Sequence, residues 1–347
     1  MKIFWVIIMF IFVSTCFGQA ELSISNPKNK QLKEAVDTSY VKDISDKLII
    51  KINRDSRVDS YTITEKDNSS TTILPNDRKN YFISLDYKFI GFSLGLPKTW
   101  SDSNYQNYLK GKTTDFNLNF TFFINNWVQA VYYNTVKGYY IDNPNLSTQN
   151  VSGELSPYLQ LPDFKTRKIG GATSYVMNGK RFSYRSFLQQ TQIQKKSSGS
   201  FIPSISYEFF YSSNRLDGFS EDEYKKILSI MTSIGYQYNL VVMKKLNFSG
   251  GVFSGYGMGY VRDFSPETRI ENKYWQNRFS VNFNLNFNYS WKNVFCGVQI
   301  SSLSNFTKEE DLNINNTINY ENIYLGYRFD APKIIKKPVN WLEKKLF

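Results

Sequence analysis

Between Arg278 and Trp291 the chain alternates without a break. Phe279, Val281, Phe283, Leu285, Phe287, Tyr289 and Trp291 occupy one phase, and Ser280, Asn282, Asn284, Asn286, Asn288 and Ser290 occupy the other. A two-residue period is that of a β-strand, whose successive side chains leave opposite faces. The run outlasts an average globular strand of about 5–6 residues, and also the roughly 9–11 that a tilted strand needs to cross a bilayer.

The pattern recurs. Phe116, Leu118, Phe120 and Phe122 oppose Asp115, Asn117, Asn119 and Thr121, and Tyr81, Ile83, Leu85 and Tyr87 oppose Phe82, Ser84, Asp86 and Lys88. Phe201, Ile205, Tyr207, Phe209 and Tyr211 oppose Ser204, Ser206 and Glu208. Ile234, Tyr236, Tyr238 and Leu240 oppose Gly235, Gln237 and Asn239, and Ile323, Leu325, Tyr327 and Phe329 oppose Tyr324, Gly326 and Arg328. The polar phase is mostly small or amide, which suits a hydrated interior, and the Tyr and Trp near strand ends suit girdles at the headgroups. Phe279, Val281, Phe283, Leu285 and Phe287 therefore read as lipid-facing. A soluble β-sandwich also alternates, but the strand length and the aromatic outer phase argue against it.

Turns punctuate the strands. Asn178-Gly179, between 172–177 and 180–189, is a strong short hairpin signal. Ile124-Asn125-Asn126, Met243-Lys244 and Trp291-Lys292-Asn293 read as further tight turns, while longer polar connections lie at 98–111, 141–165, 213–228, 262–275 and 304–319. Barrels of this kind place short turns in the periplasm and long loops outside. The expected fold is all-β: an antiparallel transmembrane β-barrel of about 12 strands, with 10 and 14 left open. The alternation of short and long connections slips by one between Asn178 and Ser229. Either a strand is misplaced there or 48–54 is an additional one.

The ends have their own character. Lys2 precedes an apolar run over residues 3–13, too short for a membrane helix of about 20 residues but right for a cleaved signal peptide ending at Gly18-Gln19. A loose lipobox, Val13-Ser14-Thr15-Cys16, is the competing reading; Thr15 suits it poorly. With that signal removed, Cys296 stands alone. The expected domains are a signal peptide at 1–18, a polar periplasmic extension at 19–78 with an early strand at 48–54 left open, a barrel at 79–329 and a basic periplasmic tail at 330–347. That tail carries Lys333, Lys336, Lys337, Lys344 and Lys345 among Ile334, Ile335, Trp341, Leu342 and Phe347. It either lies on anionic headgroups of the inner leaflet or is a short docked or frayed segment.

The chain contains no histidine. The hydrolytic and acyl-transfer chemistries usual for barrel enzymes need an imidazole to move a proton near neutral pH, so they are excluded. Carboxylate or Ser-Lys chemistry survives, but no spacing supports it. Nothing spells a metal site, and no cofactor is expected. The formal charge of +12 is spread along the chain, and the compartment is wrong for nucleic acid. Outer-membrane lipids and lipopolysaccharide are the expected partners, with envelope proteins a further option through 141–165 and 213–228. Asp86, Lys88, Asp115, Arg185, Glu208 and Arg328 are the candidate lumenal charges. They read as an interior ion-pair lattice or, alternatively, as a selectivity lining.

Several strings look familiar in their order: Asp37-Thr38-Ser39-Tyr40-Val41, Lys137-Gly138-Tyr139-Tyr140, Leu161-Pro162-Asp163-Phe164, Tyr175-Val176-Met177-Asn178, Phe182-Ser183-Tyr184-Arg185, Gln194 through Ser200, and Leu325-Gly326-Tyr327-Arg328-Phe329. Together they resemble the Gram-negative outer-membrane barrel family known as domain of unknown function 4421, over roughly Asp37 to Pro332. The resemblance implies an outer-membrane barrel and carries over no catalytic residue. The functional expectation is a non-enzymatic barrel serving as narrow channel, transport element or envelope scaffold. The alternatives are a histidine-independent enzyme on lipid or glycan, and a partner-binding component of an envelope assembly.

Overall fold

The computed structural model describes residues 36–76, 79–95, 104–142, 148–149, 155–156, 158–215, 222–243, 245–309 and 312–346. The expected signal peptide and the lipobox-like string lie outside them. Twelve antiparallel strands close into a barrel. They are β1 (Lys47–Thr64), β2 (Lys79–Tyr87), β3 (Ile90–Gly95), β4 (Thr114–Ile124), β5 (Trp127–Ile141), β6 (Leu159–Tyr175), β7 (Ser198–Asn214), β8 (Glu223–Met243), β9 (Leu246–Ser265), β10 (Ile270–Trp291), β11 (Val294–Glu309) and β12 (Leu312–Asp330). Each pairs with the next, and β12 closes on β1, from Asn313 opposite Thr64 to Asp330 opposite Lys47. We call the end at Lys47 and Asp330 the near end and the other the far end. Among the described residues no helix is long and apolar enough to cross a membrane.

The two phases of β10 separate as their chemistry requires. Phe283 and Leu285 are 54% and 62% exposed on the outer face, while Asn284 between them is 7% exposed on the inner face. Phe279 and Phe287 are likewise exposed, and Val281 shares their outward phase half-buried. On the neighbouring β9 the inward phase is largely glycine, at Gly251, Gly255, Gly257 and Gly259. That leaves room inside for the longer side chains of β8 and β10.

The register fixes the barrel's dimensions. Starting at Trp291 and stepping strand to strand, the partners are Val294, Tyr327, Ile50, Leu85, Phe92, Phe120, Val131, Gly171, Tyr207, Ile230, Met258 and finally Asn277. The path returns to β10 fourteen residues above its start. With strands about 4.8 Å apart and about 3.3 Å per residue, that stagger tilts them by about 40°. Each residue then climbs the barrel axis by about 2.5 Å, and each step from strand to strand by about 3 Å. Outward apolar side chains run from Trp291 to Phe279, a height of about 30 Å, close to the hydrocarbon core of a bilayer.

The wall is not uniform, and the connection from β3 to β4 carries the short helix α1 (Asn104–Lys110). The short strand Ser70–Pro75 pairs with β1 at 61–64 and with β5 at 139–141. Above the short β2, β3 and β4 it links β1 directly to β5, so the ring drops from twelve strands to ten towards the far end.

The near end is filled. Residues 176–197 do not continue the sheet; they fold back into the barrel around the helix α2 (Arg185–Leu188). Gln192–Gln194 pairs with Val41–Asp43, which draws residues 36–46 onto the same stopper. The buried side chains of Phe123, Val128, Val176, Phe182 and Ile202 join stopper and wall in one apolar cluster. A helix after the barrel, α3 (Lys333–Leu346), starts on bonds from Ile335 and Lys336 to the Pro332 carbonyl. Its Glu343 ion-pairs with Lys88 in the β2–β3 turn.

Three expectations change. The barrel begins at Lys47, not at 79, so 48–54 is indeed a wall strand and 36–46 belongs to the stopper rather than to an extended arm. Asn178-Gly179 is not a hairpin tip between two wall strands. Its Asn178 carboxamide donates to the Gly199 carbonyl at 2.8 Å, and its carbonyl accepts from Arg181 and Phe182, which turns the chain inward. Residues 180–189 accordingly form no strand.

Candidate functional site

The interior is the site to consider. Its floor is the stopper, tied to the wall around the circumference. The Lys51 ammonium on β1 donates to the Leu188 carbonyl, Asn239 on β8 donates to the Ser183 carbonyl at 2.9 Å, and Asn286 on β10 donates to the Phe187 carbonyl at 3.3 Å. Arg185 reaches the backbone carbonyls of Lys88 and Phe123 at 3.1 and 3.3 Å, with its guanidinium 4.8 Å from the Phe123 ring centre. Burial lowers its pKa, with Asp43 and Glu343 acting the other way, and burial alone raises the Tyr184 hydroxyl to about 12. The Asp37 carboxylate accepts the Ser39 hydroxyl and amide, which holds its pKa below the usual range.

Above the floor lies a cavity of about 670 Å³ lined mainly by hydroxyl and amide side chains from nearly every strand. A second space of about 480 Å³ lies toward the far end and shares Lys168, Glu208, Arg278, Asn305 and Asn316 with it. Charges brace the walls where the two meet. Lys168 on β6 reaches across to Asp59 on β1 at 2.6 Å, with both side chains under 5% exposed. The other oxygen of Asp59 accepts from Asn316 on β12 at 2.6 Å. Tyr61 and Phe210 flank the Lys168 ammonium with ring centres at 5.4 and 5.8 Å.

Glu208 on β7 accepts the Tyr132 hydroxyl from β5 at 2.7 Å, reaching past β6. The residue between them is Gly170, where a Cβ would sit 2.7 Å from the Tyr132 oxygen, so only glycine leaves the path clear. Arg278 on β10 comes within 3.9 Å of Glu208 and donates to Ser229 at 2.9 Å. Toward the far end Lys225 on β8 pairs with Glu309 on β11 at 2.7 Å.

The six charges expected from the sequence are not one network. Asp86 points inward and pairs with Lys51 at 2.9 Å. Asp115 points inward and accepts from Asn117 at 3.0 Å. Glu208 points inward as described. Arg328 points inward but meets no carboxylate among the described residues. It donates to Ser290 at 2.9 Å and to the Lys292 carbonyl at 3.2 Å, and lies 4.4 Å from the Phe295 ring centre. Lys88 is not on a strand phase: it sits in a turn at φ 53° and its partner is α3. Arg185 is not on a strand either, but on α2. The two arginines expected to share the lumenal carboxylates instead cap backbone carbonyls at the near end. Among the described residues the cations that pair inside are Lys51, Lys168, Lys225 and Arg278. Among the described residues no group of acidic, cysteine or histidine side chains could hold a metal ion.

A family model described as a domain of unknown function (DUF4421) matches residues 35–329. No protein of curated function matches the sequence. Among solved structures the fold is similar to the outer membrane protease OmpT of Escherichia coli, at 9% identity, over 86% of this chain and 100% of that one, with a TM-score of 0.37. It is also similar to the toluene transporter TodX of P. putida, at 6% identity, over 85% and 95% of the two chains, with a TM-score of 0.29. Ail, the attachment invasion locus protein of Yersinia pestis, shares 11% identity over 81% and 98%, with a TM-score of 0.19.

Proposed function

We propose that this chain, which belongs to the DUF4421 family, is a stoppered, non-enzymatic barrel of the outer membrane that serves as an envelope scaffold rather than an open pore. The observation carrying this reading is the near-end stopper, bonded to β1, β4, β8, β10 and the β2–β3 turn. A segment held on all sides and sharing an apolar cluster with the wall does not move aside at little cost. The short turns, the start of β1 and the end of β12 face the periplasm in this reading, as is usual for such barrels, and the longest strands carry loops outward. The outward apolar band contacts outer-membrane lipid. The lumenal charges brace the walls rather than line a permeation path, since a lining for solute leaves charges unpaired in sequence along the pore.

Planar-bilayer recording tests the proposal. The intact protein should show little or no conductance, and replacing residues 180–193 by a Gly-Ser linker should produce large, long-lived steps. Arg185→Ala, which removes the grip on β4 and the β2–β3 turn, should give brief openings. Intact protein that conducts as freely as the linker variant sinks the scaffold reading in favour of a pore.

A further inference from the structure

The outer face of the barrel is apolar through most of the bilayer depth on most strands, but on β11, β12 and β1 the apolar outward residues Ile300, Ile323 and Ile52 give way to polar and charged ones in the upper part of the band. The register gives the depth of each residue. Taking Trp291 as zero, Ile50 on β1 stands three strand steps up, at about 9 Å, and Arg54 at about 19 Å. Tyr327 on β12 stands at about 6 Å and Glu321 at about 21 Å, while Ser302, Ser56 and Asn319 fall at about 23–26 Å. Elsewhere on the barrel, the outward apolar residues of β4 run from Ile124 at about 9 Å to Phe116 at about 29 Å. Arg54 and Glu321 therefore sit near mid-depth of the band. Both are exposed, and neither makes an ion pair or side-chain hydrogen bond among the described residues.

Other outward polar groups behave differently. Gln129 on β5, at comparable depth, donates to the Tyr207 hydroxyl at 2.8 Å and accepts from Thr173 at 2.6 Å. It is neutral and satisfied within its own wall. A charge on a lipid-facing strand is costliest near the midplane, so an Arg and a Glu left there call for a protein cover.

We propose that the face formed by β11, β12 and β1 is a self-association surface, on which a second copy of this chain seats. The patch is self-complementary. Glu321 and Arg54 lie diagonally across the β12–β1 pairing, with Glu321 opposite Ser56 and Arg54 opposite Ile323. A two-fold axis near Ser56 turns one copy's Arg54 toward the other copy's Glu321, and the reverse, which is the arrangement a symmetric dimer requires. Ser302 and Asn319, bonded to each other at 2.8 Å, complete a polar centre that lipid chains cannot satisfy.

The test uses full-length protein in its native membranes, in a Cys296→Ser background. Ser56→Cys should form a disulfide-linked dimer of twice the subunit mass on mild oxidation, whereas Ile205→Cys, outward on β7, should not. After detergent extraction the intact protein should run as a dimer, Arg54→Glu as a monomer, and the swap Arg54→Glu with Glu321→Arg as a dimer again. Heat-modifiable migration on gels confirms that each variant is folded. A Ser56→Cys adduct with a protein of different mass overturns the second-copy assignment. So does a folded Arg54→Glu that stays dimeric, or equal cross-linking at positions 56 and 205.

Discussion

Lys168 is the most informative side chain to remove. Its ammonium is 2.6 Å from Asp59 and both side chains are almost without solvent contact. Replacing it with Met keeps the length of the stem between Tyr61 and Phe210 but leaves the Asp59 carboxylate buried with Asn316 as its remaining close donor. Breaking one half of a buried pair costs about 3–5 kcal/mol, because the survivor has lost both its solvation and its counterion. Removing both charges is another matter. Lys168→Met with Asp59→Leu leaves no stranded ion, and buried pairs replaced by packed apolar groups are often neutral or better. The double variant should therefore recover most of the loss, with a coupling of about 2–3 kcal/mol between the two positions. Urea unfolding of the folded protein in lipid vesicles, followed by tryptophan fluorescence and heat-modifiable migration, measures all four corners of the cycle. A Lys168→Met cost under about 1 kcal/mol would show that water reaches Asp59 and that the brace is not buried in any energetic sense. A double variant as unstable as the two single losses combined would refute the reasoning equally.

Two further outcomes follow from the wall. Phe283→Arg, at about 20 Å on the outer face, should destabilise by about 2–4 kcal/mol in the same unfolding assay, and Asn284→Arg, facing the cavity, by much less; equal costs would mean that the faces are assigned wrongly. Gly257→Ala should cost about 1–3 kcal/mol, since the new Cβ meets the Ile230 carbonyl of the adjacent strand, whereas Gly250→Ala, whose nearest contact is the Leu285 side chain at 3.2 Å, should change the unfolding midpoint little.

Much of the architecture was legible because β10, β8 and the end of β12 alternate cleanly between aromatic or aliphatic and small polar residues. β1 was harder to read for a physical reason. Its outward phase is apolar at Ile50 and Ile52 and then turns to Arg54 and Ser56, with Val58 alone before Ser60. Its inward phase holds Lys51, Asn53, Asp55, Arg57 and Asp59. A strand polar on both faces reads as an extension. Yet the polar residue at every second position opposite Ile50 and Ile52, Lys51 and Asp59 among them, was a signal that could have revealed both the strand and two of the lumenal braces. The stopper was hidden differently. Asn-Gly is a good turn wherever it occurs, and a segment that buries Phe182, Phe187 and Gln189 inside other strands has no periodicity of its own, because its partners surround it. Arg185 was therefore given a strand phase it does not have. Lys88 was misread by a single residue: the phase of β2 ends at Tyr87, and the chain turns at the next position with a positive φ.

The step from twelve strands to ten bears on how the molecule is put together. The circumference shrinks by about a sixth, so the barrel is a vessel whose broad base holds the stopper and whose neck points the other way. The seam between β1 and β12 joins the most distant parts of the sheet in sequence, and its closure is the slow, entropically expensive event expected of such a topology. The stopper belongs to the connection between β6 and β7, mid-chain, and it occupies the broad end. Ring closure and plugging are thus geometrically independent: the segment has room to enter from below after the seam is sealed, with the arm 36–46 following it in and locking Val41–Asp43 against Gln192–Gln194. Assembly can end with a cork rather than begin with one.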